Sequence, residues 1–95
     1  MRSGTDWQQL IEKLPNATNR DGRAVSDLGQ EIITFFALEA QRQNLSITDL
    51  AGILNCSKQN VCQFFAGFTS PTLIRVEGIM RALRVNRLSV KLRAE

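Results

Sequence analysis

Leu45-Ser46-Ile47-Thr48-Asp49-Leu50-Ala51-Gly52-Ile53-Leu54-Asn55-Cys56-Ser57-Lys58-Gln59-Asn60-Val61 is the stretch on which the fold of this chain turns. It contains two helix starts in quick succession. Ser46 is a capping residue, and Asp49 stands at the third helical position, where a negative charge faces the exposed N–H groups and the positive end of the helix dipole. Leu50, Ala51 and Leu54 form the side to be buried. Asn55 ends the helix, because asparagine tolerates a left-handed backbone better than most residues with a Cβ. Ser57 then caps a second helix from Lys58 to about Ala66, and Gly67 terminates it.

Two short helices joined by three or four residues form a helix-turn-helix candidate. Any helical bundle can hold such a pair, so the spacing of particular residues matters more. Ala51 is small where the two helices cross. Asn55 falls in the turn. Val61 and Phe64 are placed to return to the core.

The flanking sequence supplies further helices. Trp7, Leu10, Ile11 and Leu14 recur at helical spacing over residues 5–14, with Thr5 and Gln8 as a capping box and Pro15 as the stop. Residues 15–23 read as a loop turning at Asp21-Gly22. A longer helix is expected over about 25–43, capped by Ser26. Its apolar stripe is Leu28, Ile32, Phe36 and Ala40, widened by Ile33 and Phe35. Another is expected at 72–84 behind Ser70-Pro71-Thr72, with the stripe Leu73, Val76, Met80 and Leu83 and Ile79 beside it. In the tail, Leu88, Val90 and Leu92 alternate with polar residues, which is strand periodicity. A lone strand leaves its backbone unpaired, so this reading implies pairing with a second subunit. The competing reading is a final helix capped by Asn86.

Composition narrows the function. A chain of 95 residues with 43% hydrophobic content supports one modest core. The apolar runs are too short to span a membrane, and no secretory leader is visible, so a cytoplasmic, nucleoid-associated protein is expected. The net charge is +3. Residues 1–45 carry five positive and six negative side chains, and residues 46–95 seven and three. That bias suits a polyanion. There is no histidine, and Cys56 and Cys62 are the only cysteines. No metal site, cofactor or catalytic motif is expected, nor a disulfide between two cysteines on different faces. The chain reads as non-enzymatic.

Residues 45–61, continued through Gly67 to Ser70-Pro71-Thr72-Leu73, resemble the lambda-repressor-like (Cro/CI, or XRE-type) helix-turn-helix family without a gap. Met80-Arg81-Ala82-Leu83-Arg84-Val85-Asn86 is similar to that family's fourth helix and exit. The resemblance covers about residues 28–86. It implies an all-α, compact five-helix DNA-binding domain at 25–86, with residues 1–24 as an N-terminal helix-and-loop appendage and 87–95 as a tail, a candidate dimerising strand. It also implies operator binding as a dimer, with the helix at 58–66 in the major groove. At about 100° per residue, Lys58, Gln59, Cys62, Gln63 and Ala66 fall on one outward arc. Asn60, Val61 and Phe64 fall opposite, with Phe65 at the boundary.

Gln59 and Gln63 carry amides that can bond adenine bidentately, Lys58 can donate to guanine or to a phosphate, and Cys62 can touch a thymine methyl. Ser57, Asn60, Thr69, Ser70 and Thr72 are placed to meet phosphates near helix starts. Phe68, with Leu88, Val90 and Leu92, is the candidate dimer surface. Three departures from the family stand out. Ile47 occupies a position where members often have a phosphate-binding glutamine. Ala40 and Phe65 replace a polar Arg–Glu pair, so that junction is expected to be packed dry. Phe68 stands where members often have Lys or Asn.

The expected partners are therefore a double-stranded DNA operator and a second copy of the chain, with no membrane. The alternative is an antitoxin or anti-repressor module that uses the apolar face of the N-terminal helix to bind another protein. A fold that has lost DNA binding is a third reading.

Overall fold

A computed structural model describes residues 3–69 and 72–87. Five α-helices run through them: α1 (Ser3–Lys13), α2 (Asp27–Arg42), α3 (Ile47–Leu54), α4 (Lys58–Phe65) and α5 (Leu73–Leu83). No strand occurs among the described residues; the one extended pairing is an isolated antiparallel bridge between Thr18 and Ala24. The architecture is all-α, but among the described residues four helices, and not the expected five, lie within 25–86, and α1 is the fifth. The expected tail strand of Leu88, Val90 and Leu92 lies outside the described residues, as does Ser70.

Local chemistry sets most helix ends. Ser26 accepts from the Gly29 N–H at 3.0 Å and opens α2. Ser57 and Thr72 do the same for α4 and α5, accepting from the N–H groups of Asn60 at 3.1 Å and Arg75 at 3.2 Å. Each bond satisfies one of the four N–H groups that a helix start leaves without an internal partner. The first helix departs from expectation. It begins at Ser3 and takes Thr5 into its first turn, so Thr5 is not its cap. Pro15 does not simply stop it either; it is the second residue of a 3-10 turn over Leu14–Asn16, where its missing N–H leaves nothing unsatisfied.

One core joins all five helices. Trp7, Leu14, Ile33, Phe36, Ala37, Ala40, Leu50, Phe64, Phe65, Ile79 and Leu83 are buried in it. The apolar face of α1 is spent here: Trp7 and Leu14 are buried, and Leu10 and Ile11 pack half-buried beside them. The Trp7 indole meets the Phe65 ring edge-on at 4.8 Å, and Phe64 meets Phe65 at 5.1 Å. The indole Nε1–H donates to the Leu45 carbonyl at 2.6 Å, which satisfies its polar atom inside the core. Ala40 and Phe65 are both fully buried, so the junction of α2 with α4 is apolar, as their side chains imply.

The apolar stripes of α2 and α5 are rotated from their expected positions. On α2 the buried line is Ile33, Phe36, Ala37 and Ala40, and Leu28 is exposed. On α5 it is Val76, Ile79 and Leu83, while Met80 is half-buried and Leu73 and Ile74 are exposed. In both helices the leucine of the first turn faces solvent.

The ends of the helices are tied together. Gln43 Nε2–H donates to the Leu83 carbonyl at 2.7 Å and to Glu39 at 3.0 Å, joining the end of α2 to the end of α5. Gly67 follows α4 with φ of 80°, a left-handed conformation. A Cβ there would lie 2.6 Å from Val25 Cγ2 and 3.3 Å from Leu14 Cδ1, so the turn after α4 packs directly on the N-terminal segment.

Replacing Trp7 by alanine removes the largest side chain of the core. The expected loss is about 3–5 kcal/mol, read as a lower urea midpoint by circular dichroism. Trp7→Phe keeps a ring and loses the indole donor, so it should fall between wild type and Trp7→Ala. Equal midpoints for Trp7→Ala and wild type would show that α1 does not contribute to the cooperative unit.

Candidate nucleic-acid interface

The two helices α3 and α4 form a unit whose parts can be followed from their caps. Ser46 Oγ accepts from the Asp49 N–H at 3.0 Å, and the Asp49 carboxylate accepts from the Ser46 N–H at 2.9 Å, a reciprocal capping box. The bond from the Ser46 backbone, then that with its hydroxyl, holds the Asp49 carboxyl below its ordinary range. At the C-terminal end of α2, bonds from Arg42 and then Gln43 hold Glu39 low in the same way. Asn55 ends α3 in the left-handed conformation, with φ of 57° and ψ of 47°, and its N–H returns to the last carbonyls of α3. The Cys56 N–H closes the turn on the Ala51 carbonyl at 3.0 Å. Ile47, Leu50 and Ala51 are buried; Leu54, expected on the buried side, is half-buried.

Helix α4 is seated by Val61, Phe64 and Phe65, all buried. Phe65 is therefore a full core residue and not a boundary one. Asn60, expected on the inner side, is exposed. Lys58, Gln59 and Ala66 are exposed as well. Gln63 is half-buried on the outward arc. Cys62 sits at the margin of that arc: it is half-buried and packs against the core, so it does not occupy the arc's centre. Cys56 is likewise half-buried against the core, and both thiols are free. The surface that α4 offers outward is thus built from Lys58, Gln59, Asn60 and part of Gln63.

Ser57 and Thr72 are exposed, and each uses a hydroxyl lone pair as a cap. A hydroxyl also carries a donor proton, which capping leaves available to an anion. Thr69 is half-buried beside Phe68. Phe68 is 37% exposed, and the Arg20 guanidinium lies 5.4 Å from the centre of its ring. The structure also brings forward residues that reading along the chain does not single out. A groove at the start of α4 is lined by Gln9, Leu10, Lys13, Ile47 and Lys58. A cleft at its other end is lined by Asn19, Arg20, Asp21, Phe68 and Thr69. Among the described residues, no group of three His, Cys, Asp or Glu side chains could hold a metal ion.

No family model matches the chain, and neither a curated protein nor a solved structure matches it. No helix among the described residues is long and apolar enough to cross a membrane.

The capping box has a pH signature. A carboxyl held low in the folded state adds stability that is present above its ordinary value of about 3.9 and is lost as pH falls through its folded value. The urea-midpoint gap between wild type and Asp49→Ala should therefore be open at neutral pH and narrow in strong acid. A gap of constant size from neutral to strongly acid pH would exclude a folded-state role for the Asp49 charge.

Proposed function

We propose that this protein is a sequence-specific, double-stranded DNA-binding transcriptional regulator of the lambda-repressor-like kind, acting as a repressor in a bacterium, phage or plasmid. It binds a near-palindromic operator as a homodimer, with α4 as the recognition helix. One observation carries the reading. An eight-residue helix is fixed from behind by Val61, Phe64 and Phe65, and it presents a lysine, an amide pair and an asparagine to the outside across a tight left-handed turn from α3. Gln59 and Gln63 have the donor–acceptor pattern that matches an adenine edge. Lys58 can reach a guanine edge or a phosphate.

Rigidity supports the same reading. Base readout requires side chains held at a defined angle to the duplex. An eight-residue helix does not persist in water by itself, but α4 has three buried anchors and a serine cap. Ser57 and Asn60 stand at the start of α4 and Thr69 follows its end, with Thr72 at the start of α5, and their hydroxyl and amide groups can meet the phosphates that set the docking angle. Against the partner-binding alternative stands the burial of Trp7 and Leu14, which commits the larger part of the apolar face of α1 to the core of its own chain.

A selection from random duplexes at two salt concentrations tests the proposal. The expected result is two related half-sites with centres about 34 Å apart, and binding that weakens steeply with salt. Gln59→Ala and Gln63→Ala should relax base preference at a few positions. Equal loss on every sequence would move those glutamines to the phosphates. Failure of the wild-type chain to enrich any duplex sequence would remove the proposal. Sedimentation at micromolar concentration should give the mass of two chains.

A further inference from the structure

We infer that the N-terminal segment is a second part of the DNA-binding surface, a phosphate clamp in which Lys13 and Arg20 grip the duplex backbone at opposite ends of α4. This inference rests on the proposed DNA-binding reading and adds contacts from outside the helix-turn-helix.

The first arm is at the start of α4. Lys13 is the last residue of α1, and Gln9 lies one turn before it. Both are exposed, and they line one groove with Lys58, the first residue of α4, and Ile47, the first residue of α3. Ile47 and Leu10 give this groove an apolar floor. Its polar groups are two ammonium ions and an amide. Two cations that line one groove give it a positive potential, which attracts an anion. A backbone phosphate is such an anion, and it brings no demand on sequence. The position is fixed rather than incidental, because α1 is anchored by the Trp7 bond to the Leu45 carbonyl and the Trp7–Phe65 contact.

The second arm is at the far end of α4. Arg20 lies in a loop ordered by the side chain of Asn19. Asn19 Oδ1 accepts from the N–H groups of Asp21 at 2.9 Å and Arg23 at 3.0 Å, and Gly22 turns the chain with φ of 78°. The Arg20 N–H donates to the Phe68 carbonyl at 2.8 Å, and its guanidinium lies over the Phe68 ring. The loop is thereby fastened to the turn that follows α4. Arg20 is exposed and shares its cleft with Thr69, whose hydroxyl has a donor for the same phosphate oxygen class. Asp21 also lines this cleft, and with Arg20 and Arg23 it leaves the loop one positive charge in excess.

The two cations thus flank α4, Lys13 beside its first residue and Arg20 beside the turn that follows it, and they extend its exposed polar surface beyond both ends.

The test measures duplex affinity of the full chain against salt, for Lys13→Gln, Arg20→Gln and the double variant. Each single change should reduce the magnitude of the log–log salt slope by about one, and the double change by about two. Base preference in the selected sites should stay as in wild type. Lys13→Arg and Arg20→Lys should keep the wild-type slope, and all variants should keep the wild-type circular dichroism melting curve. A wild-type slope in the double variant, while Gln59→Ala or Gln63→Ala alters base preference, overturns the clamp and leaves the regulator reading intact. A slope lost equally in the charge-retaining variants overturns it too, because packing and not charge is then at work. No salt-dependent duplex binding by the wild-type chain removes the clamp together with the reading beneath it.

Discussion

The contact between the Trp7 indole and the Phe65 ring is the constraint around which the rest of the molecule is arranged. It joins the first helix of the chain to the end of α4, and the indole N–H bond to Leu45 joins the same helix to the turn before α3. Three elements that are distant in sequence are thus fixed by one side chain. Helices of eight residues gain little from their own hydrogen bonds. What holds α3 and α4 at a defined angle is burial, and the ring of Phe65 lies at the centre of that burial, with Trp7 on one side and Phe64 on the other.

The apolar character of this junction has an electrostatic corollary. Ala40 and Phe65 are both fully buried, and no charged side chain is buried among the described residues. The ion pair described, Arg42 with Glu39, lies toward the surface at the end of α2. Burial of apolar surface is weakened little by screening, whereas charge pairs between exposed groups are screened strongly. Salt can therefore act on the outer surface of α4 and its flanking cations while leaving the scaffold that aims them unchanged. Folding and the proposed binding respond to different variables.

Much of this was legible in the sequence where the chemistry is local. Ser26, Ser46 and Ser57 announce their helices because a short hydroxyl side chain next to an apolar periodic run has few other uses, whereas Thr72, expected as the first residue of its helix, is the cap of α5. Asn55 announces the turn for a similar reason. Burial was less legible. Leu28 and Leu73 continue the periodic stripes of α2 and α5, yet both are exposed, since periodicity states which residues share a face and not how far the neighbouring helix extends. Phe65 is deeper in the core than its place on α4 implies because Trp7, which arrives from the far end of the sequence, covers it. Lys13 and Arg20 carry no one-dimensional signal at all. A lysine ending an amphipathic helix and an arginine in a turn are ordinary, and only tertiary placement puts them beside Lys58 and Thr69.

The close fit at Gly67 bears on how this chain can vary through descent. The backbone there is left-handed, and the space that a Cβ would need is already filled by a methyl group of Val25. Shrinking the residue at 25 would open that space without changing the backbone, so glycine would still be favoured at 67. Enlarging the residue at 25 would press on a turn that has nothing left to remove. The bend that leaves α4 and the bend that enters α2 therefore form a single steric unit, and substitutions at one are filtered by the occupant of the other. Position 67 is therefore held to glycine by its backbone as well as by its neighbour, and the size of the residue at 25 is bounded from above by the turn it fills.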